Sequence, residues 1–164
     1  MHPEAMAFVA RTAQRFMPPP NTVLDAGGRD VNGSPRLLFP GSTYLVIDLE
    51  DGPGVDVVGD ARHWRPEAPV DLVLSVEVLE HAPDPAALLR AAWDCLLPGG
   101  RLIVTCATDP RAPHSGHDGG PLQGDEHYAN VAEADLKAWL ADWDEVEIEV
   151  HPDRGDLYAT AMRP

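Results

Sequence analysis

The chain has 164 residues, 44% of them apolar, which is enough for one domain with a real core and hardly enough for two. Asp and Glu number 27 against 12 Lys and Arg, a formal net charge of −15 that argues against polynucleotides and anionic membranes as partners. No apolar stretch approaches the ~20 residues of a membrane helix, residues 1–17 do not read as a secretory signal, and Cys95 and Cys106, each inside an apolar segment, point to a reduced, cytoplasmic setting.

In chain order, Ala5, Phe8, Val9 and Phe16 repeat at near-helical spacing, and Pro18-Pro19-Pro20 stops that helix, so residues 1–20 are expected to hold an N-terminal helix. Residues 22–26 read as a short buried strand opening onto Gly27-Gly28. Ser34-Pro35 is a helix start, Ser as cap and Pro in the first turn, and Pro40-Gly41 keeps that helix short. Residues 43–48 form a second strand of high β-propensity ending in an acid, 55–58 a weaker third, and 70–76 a fourth that is apolar enough to be covered on both faces.

Residues 85–97 predict a helix with Leu88, Ala91, Ala92 and Cys95 on one face, ended by Pro98-Gly99-Gly100. A fifth strand at 102–106 precedes a long polar segment, 107–130. A helix at 131–143 and two strands, 145–150 and 157–162, close the chain. Such alternation means α/β architecture: one domain over 1–164, doubly wound on a mostly parallel seven-stranded sheet, with the last two strands paired as an antiparallel hairpin.

In an open parallel sheet ligands bind beyond the carboxyl ends of the strands, where strand order reverses. The first strand ends in Asp25-Ala26-Gly27-Gly28, whose glycines admit a ligand close to the backbone. The second ends in Asp48, about 20 residues on, the spacing at which an acid takes ribose hydroxyls. The third leads to Gly59-Asp60-Ala61 and the fourth to Ser75-Val76-Glu77. Singly each acid also reads as a turn former; four consecutive strand ends in order point to a nucleotide-like ligand.

These motifs, with Leu45-Val46-Ile47-Asp48-Leu49, the run Asp71 through Ser75-Val76-Glu77-Val78-Leu79-Glu80-His81-Ala82-Pro83-Asp84-Pro85, and Leu97-Pro98-Gly99-Gly100-Arg101-Leu102, resemble class I S-adenosylmethionine-dependent methyltransferases, closely over residues 20–107. The resemblance implies a Rossmann-like fold, S-adenosyl-L-methionine as cofactor, and in-line methyl transfer to a small-molecule acceptor. It gives Gly27 and Gly28 the methionine part of the cofactor, with Asp25 near its ammonium or bracing the loop. It gives Asp48 the ribose, Leu49 the adenine face, Asp60 and the Ala61 amide the adenine edge, and Ser75, Val76 and Glu77 the floor beneath the sulfonium.

The family's loop reads Asp-x-Gly-x-Gly-x-Gly, and Arg29 and Val31 stand here at the later two glycines, with Asn32-Gly33 available to supply the turn. Glu80-His81 reads as a pair that caps and orients the following helix, His81 also being a candidate on the site rim. The segment 107–130 lies over the expected methyl-transfer site and is either a solvated loop, a substrate lid or a metal site. His114 and His127 are its candidate general bases. A metal set from His114, His117, Asp118 and His127 has no standard ligand spacing, so no metal is expected.

Only the first helix and this segment are left to shape an acceptor pocket, which favours a small acceptor, or a pocket completed by homodimerisation. The charge favours a cationic acceptor. Two other classes stay open. One is a non-catalytic binding or assembly module that keeps the fold, supported by Arg29 and Val31; the other is a nicotinamide-dependent oxidoreductase.

Overall fold

In the computed structural model, which describes residues 2–164, the strand that both neighbours cover is the most apolar one. It is β4, Val70–Val76, the fourth of seven: β1 Thr22–Ala26, β2 Thr43–Asp48, β3 Val57–Val58, β5 Leu96–Ala107, β6 Asp144–His151 and β7 Asp156–Met162. Leu72, Leu74 and Val76 point into one apolar cluster and Val73 into the other, the alternation a pleated strand imposes. The strand order is β3-β2-β1-β4-β5-β7-β6. β1 to β5 run parallel, and β7 lies antiparallel between β5 and β6. The expected doubly wound sheet with its antiparallel closing hairpin is therefore what the chain adopts.

Order reverses between β1 and β4, so their carboxyl ends open a crevice. Helix α1, Pro3–Ala13, covers one face of the sheet; α2, Pro85–Cys95, and α3, Glu133–Trp139, cover the other. Phe8 of α1 stacks on Tyr158 of β7 with ring centroids 4.8 Å apart. Arg15 makes a two-pronged ion pair with Glu147, both contacts 2.7 Å. Burial of the phenyl ring contributes about 3 kcal/mol, the exposed ion pair about 1 kcal/mol at most. Packing, not charge, seats α1.

Several boundaries differ from expectation. α2 starts where Asp84 accepts the Ala87 amide at 3.0 Å and Pro85 fills the first turn, but it ends at Cys95 because Leu96 is already extended. From there β5 begins early, and its pairing jumps from Val70↔Leu96 to Leu72↔Arg101, so the intervening Pro98-Gly99-Gly100 is taken up as an irregularity in the strand. α3 is shorter than 131–143: the Val131 amide donates to Ala107 at 2.9 Å and Ala132 is extended, which delays the helix to Glu133. The third strand keeps only Val57–Val58 on the sheet edge. The short helix after Ser34 is a 3-10 helix, Pro35–Leu38, and Ser34 caps it as expected. Among the described residues no helix is long and apolar enough to cross a membrane.

Candidate functional site

The crevice is a cleft of about 260 Å³ walled by the turns after β1, β2, β3 and β4 and by the segment that follows β5. Gly27, Asp48, Leu49, Asp60, Ala61 and Glu77 all line it. Gly27 has φ +81, and a Cβ there would lie 2.6 Å from the Val78 side chain, so the bare backbone is required for the turn to pass. Gly28 has its own reason: a Cβ would lie 2.3 Å from the Asp25 carboxyl carbon. Asp25 is buried, takes the Tyr44 hydroxyl at 2.7 Å, and thus stands under the glycine turn rather than in the cleft. Loss of water raises its carboxyl to about 6, partly offset by that hydroxyl.

Asp48 receives the backbone amides of Arg29 and Glu50, each at 3.1 Å on a different oxygen. Two anchors fix the carboxylate and leave further lone pairs for a ligand. Leu49 beside it is 69% exposed, an apolar side chain with nothing on it. Asp60 is more heavily engaged: the Arg62 guanidinium holds both its oxygens, with the shortest contact 2.7 Å, and His63 adds another at 3.2 Å. Arg62 is the main reason that this carboxyl sits at about 2.

Ser75 and Val76 do not reach the cleft; both are buried within the sheet, so they support its floor from beneath. Glu77 does reach it, with backbone φ +58, a left-handed turn that a non-glycine residue adopts only when its surroundings hold it. Its amide donates to the Thr105 carbonyl at 2.8 Å. One carboxylate oxygen lies 3.1 Å from His2 Nε2, and the other is buried with no partner. His2 also lies 3.3 Å from the buried Asp156, which takes the Tyr158 hydroxyl at 2.8 Å and pairs with Arg111. The Glu77 hydrogen bond and charge raise the His2 pKa. The sequence reading missed His2 and Asp156, because nothing local marks them; α1 and β7 bring them to β4 from opposite ends of the chain.

Segment 108–132 folds over the cleft as an ordered loop without helix or strand. Ser115, buried, donates to Glu126 at 2.7 Å; Asn130 donates to Asp109 and to the Arg111 carbonyl, both at 2.9 Å. Of the candidate bases, His127 lines the cleft while His114 does not. His114 packs edge-on against His81, centroids 5.1 Å apart, and against Tyr128 at 5.0 Å. His81 lines the cleft wall. The capping role expected of Glu80 and His81 belongs to Asp84 instead, since neither Glu80 oxygen makes any hydrogen bond. Gly33, with φ +105 and its amide on Asp30 at 2.8 Å, does supply the turn that Val31 denies the loop.

The profile of the family described as "Methyltransferase domain" matches residues 1–144. A ubiquinone biosynthesis O-methyltransferase of Xanthomonas euvesicatoria pv. vesicatoria (strain 85-10) is 36% identical over 103 residues, 56% of this chain and 43% of that one. Its counterpart in Xylella fastidiosa (strain M23) is 53% identical over 61 residues, 35% of this chain and 24% of the relative. The chain thus matches less than half the length of either. Among solved structures, a Burkholderia thailandensis 1,6-didemethyltoxoflavin-N1-methyltransferase, with bound 1,6-didemethyltoxoflavin and S-adenosylhomocysteine, superposes with TM-score 0.68 at 21% identity, covering 97% of this chain and 78% of that one. The N-methyltransferase NodS of Bradyrhizobium japonicum WM9, in complex with S-adenosylhomocysteine, gives 0.71 at 18%, covering 98% and 86%. These last two likenesses establish the fold, and the profile match establishes the membership: the chain belongs to the methyltransferase-domain family.

Proposed function

We propose that the cleft binds S-adenosyl-L-methionine and that the chain transfers its methyl group to a small-molecule acceptor. The observation that carries this is the convergence on one cleft of the Gly27 turn, the anchored Asp48 carboxylate and the bare Leu49 side chain. They fit the cofactor's parts: a close-approach backbone for the methionine end, an acceptor pair for vicinal hydroxyls, an apolar platform for the base. The cofactor supplies a methyl carbon already activated by positive sulfur. Family membership and the ligands of the relatives named above support the same reading.

The chain's own work is then alignment and exclusion of water, which supply much of the barrier reduction in a displacement of this kind. Asp48 orients the ribose. Glu77, held at φ +58, presents its carboxylate where β4 ends, beside the sulfonium end of the cleft. Loop 108–132 is the lid, and His127 is the group on it placed to remove a proton from an acceptor hydroxyl or amine. Asp60 serves the adenine edge only through the lone pairs that Arg62 leaves it. Two unpaired, buried cysteines agree with a reducing cytoplasmic setting.

One observation favours the second reading, a binding module without catalysis: the Arg29 side chain lies in the cleft and pairs with Glu50 at 3.1 Å. Calorimetric titration with S-adenosylmethionine and S-adenosylhomocysteine separates the two. The enzyme reading expects micromolar binding of both; failure of both to bind the folded protein overturns it.

A further inference from the structure

Glu80 is fully buried, and neither of its carboxylate oxygens has a hydrogen-bond partner. A buried carboxyl with so few partners either keeps its proton or is compensated by a cation. The groups around it are ligands. His81, the next residue on the 3-10 helix Leu79–His81, and His114, from the loop over the cleft, each bring a ring nitrogen so that the three ligand atoms lie within 4.8 Å of one another. His114 Nδ1 is 3.2 Å from the Ala112 carbonyl; donating its N–H there leaves Nε2 as the free lone pair, the arrangement that supports a metal-bound imidazole. The loop is strapped to the same spot, because the Ala129 amide donates to the Glu80 carbonyl at 2.8 Å.

We propose that Glu80, His81 and His114 form a site for one divalent transition-metal cation at the wall of the methyl-transfer cleft. Two imidazoles and one carboxylate suit zinc, manganese, iron or cobalt rather than magnesium or calcium, which take oxygen almost exclusively. Bonds of about 2.1 Å put neighbouring ligands roughly 3–3.5 Å apart, so the cation draws the three atoms in slightly from their present spread. The metal set weighed from the sequence, His114, His117, Asp118 and His127, shares only His114 with this site, because no motif spacing joins a consecutive Glu-His pair to a histidine in a distant loop.

Of the three ligands His81 lines the cleft, as does the neighbouring Glu77, whose second carboxylate oxygen is buried and unpartnered. Three protein ligands leave the cation an open position there, and the ligand it takes is an ionisable hydroxyl of the acceptor. This half of the inference rests on the methyl-transfer reading; cation binding itself does not. In the transfer, the cation would make the hydroxyl more acidic, its proton would pass to His127, the oxygen–carbon bond would form as the carbon–sulfur bond breaks, and the electron pair of that bond would stay on sulfur.

The test is titration of chelator-treated protein with Co2+, followed by visible absorption, and with Zn2+, followed by calorimetry. One equivalent should bind, and Glu80→Gln and His114→Ala should each weaken it by at least about tenfold, while His63→Ala, on the exposed rim, leaves it unchanged. Near-ultraviolet dichroism checks that each variant is folded; Glu80→Gln removes the charge without changing side-chain volume. No binding by the unaltered protein, or binding indifferent to both substitutions, overturns the site. Cation binding without S-adenosylhomocysteine binding leaves the site standing and defeats the methyl-transfer reading; the reverse result defeats the site alone.

Discussion

Arg29 Nη2 lies 3.1 Å from Glu50 Oε2, and the same nitrogen lies 3.3 Å from the His117 carbonyl. His117 Nδ1 in turn lies 2.7 Å from the other Glu50 oxygen. One carboxylate at the end of β2 therefore ties the glycine turn after β1 to the loop that covers the cleft. The arginine that breaks the glycine pattern brings the turn into the tie, since a glycine at position 29 would leave the turn unconnected to Glu50 and to the loop, which His117 alone would still join to each other. Arg29 Nε, buried beside Asp48 without a hydrogen bond, shows that the side chain is held by its end.

Arg29→Ala should therefore loosen the loop without unfolding the protein. Glu50 is 43% exposed, so global stability should change by about 1 kcal/mol or less. Amide exchange over residues 115–127 should accelerate by about tenfold, the equivalent of one charge-assisted hydrogen bond. Exchange monitored by mass spectrometry reads this directly, and unchanged protection of that segment would show that the loop holds itself.

Asp48→Ala should abolish most cofactor affinity. The substitution removes an ionic acceptor of two hydroxyl hydrogen bonds, worth about 3 kcal/mol or a factor of roughly 100. It also frees the Arg29 and Glu50 amides, so Asp48→Asn, which keeps one acceptor oxygen and replaces the other with a donor, should fall between. Asp51→Ala, on the exposed turn nearby, should bind normally. Equal affinities for S-adenosylhomocysteine in the unaltered protein and Asp48→Ala would remove Asp48 from the site.

The strands that were legible to the residue, β1, β2 and β4, are short apolar runs bounded by turn formers, so burial and pattern agree at both ends. The errors fell where a distant contact sets the boundary. Val131 is held extended by Ala107, and β5 extends back to Leu96 because Val70 pairs with it. In the site, strand-end acids were legible because topology puts successive strand ends together. Their partners were not: Arg62 lies two residues from Asp60, and its preference for that carboxylate over solvent is a side-chain geometry without a sequence signature. The bare burial of Glu80 was illegible for the same reason, since a Glu-His pair before a helix reads equally well as a cap.

Phe8→Ala should cost about 3–5 kcal/mol, the range for deleting a buried phenyl ring. The ring is 3% exposed and stacked on Tyr158, and little around it can collapse into the gap because the sheet forms the opposite wall. Arg11→Ala, which removes an exposed pair with Glu149, should cost about 1 kcal/mol at most. Urea unfolding of both variants checks the ranking. Equal losses would mean that charge, not packing, seats α1 and with it His2 against Glu77.

Asp25 should make stability fall as pH rises. Its carboxyl is wholly buried, and burial, the largest influence, lifts it from 3.8 to about 6. A folded value above the unfolded one means that the folded chain holds the proton more tightly. The contribution is therefore complete below 3.8 and is lost as pH passes through about 6. Two units correspond to about 3 kcal/mol. Asp25→Asn has no such proton, and its amide oxygen can still accept from Tyr44. The stability of Asp25→Asn relative to the unaltered protein should thus climb between pH 4.5 and 6.5 and level off by about pH 7.5. Asp60 titrates near 2, below this window, and cancels in the comparison. Urea unfolding at four pH values across the range gives the curve; a difference that does not vary with pH would mean that the carboxylate under Gly28 is ionised at no cost.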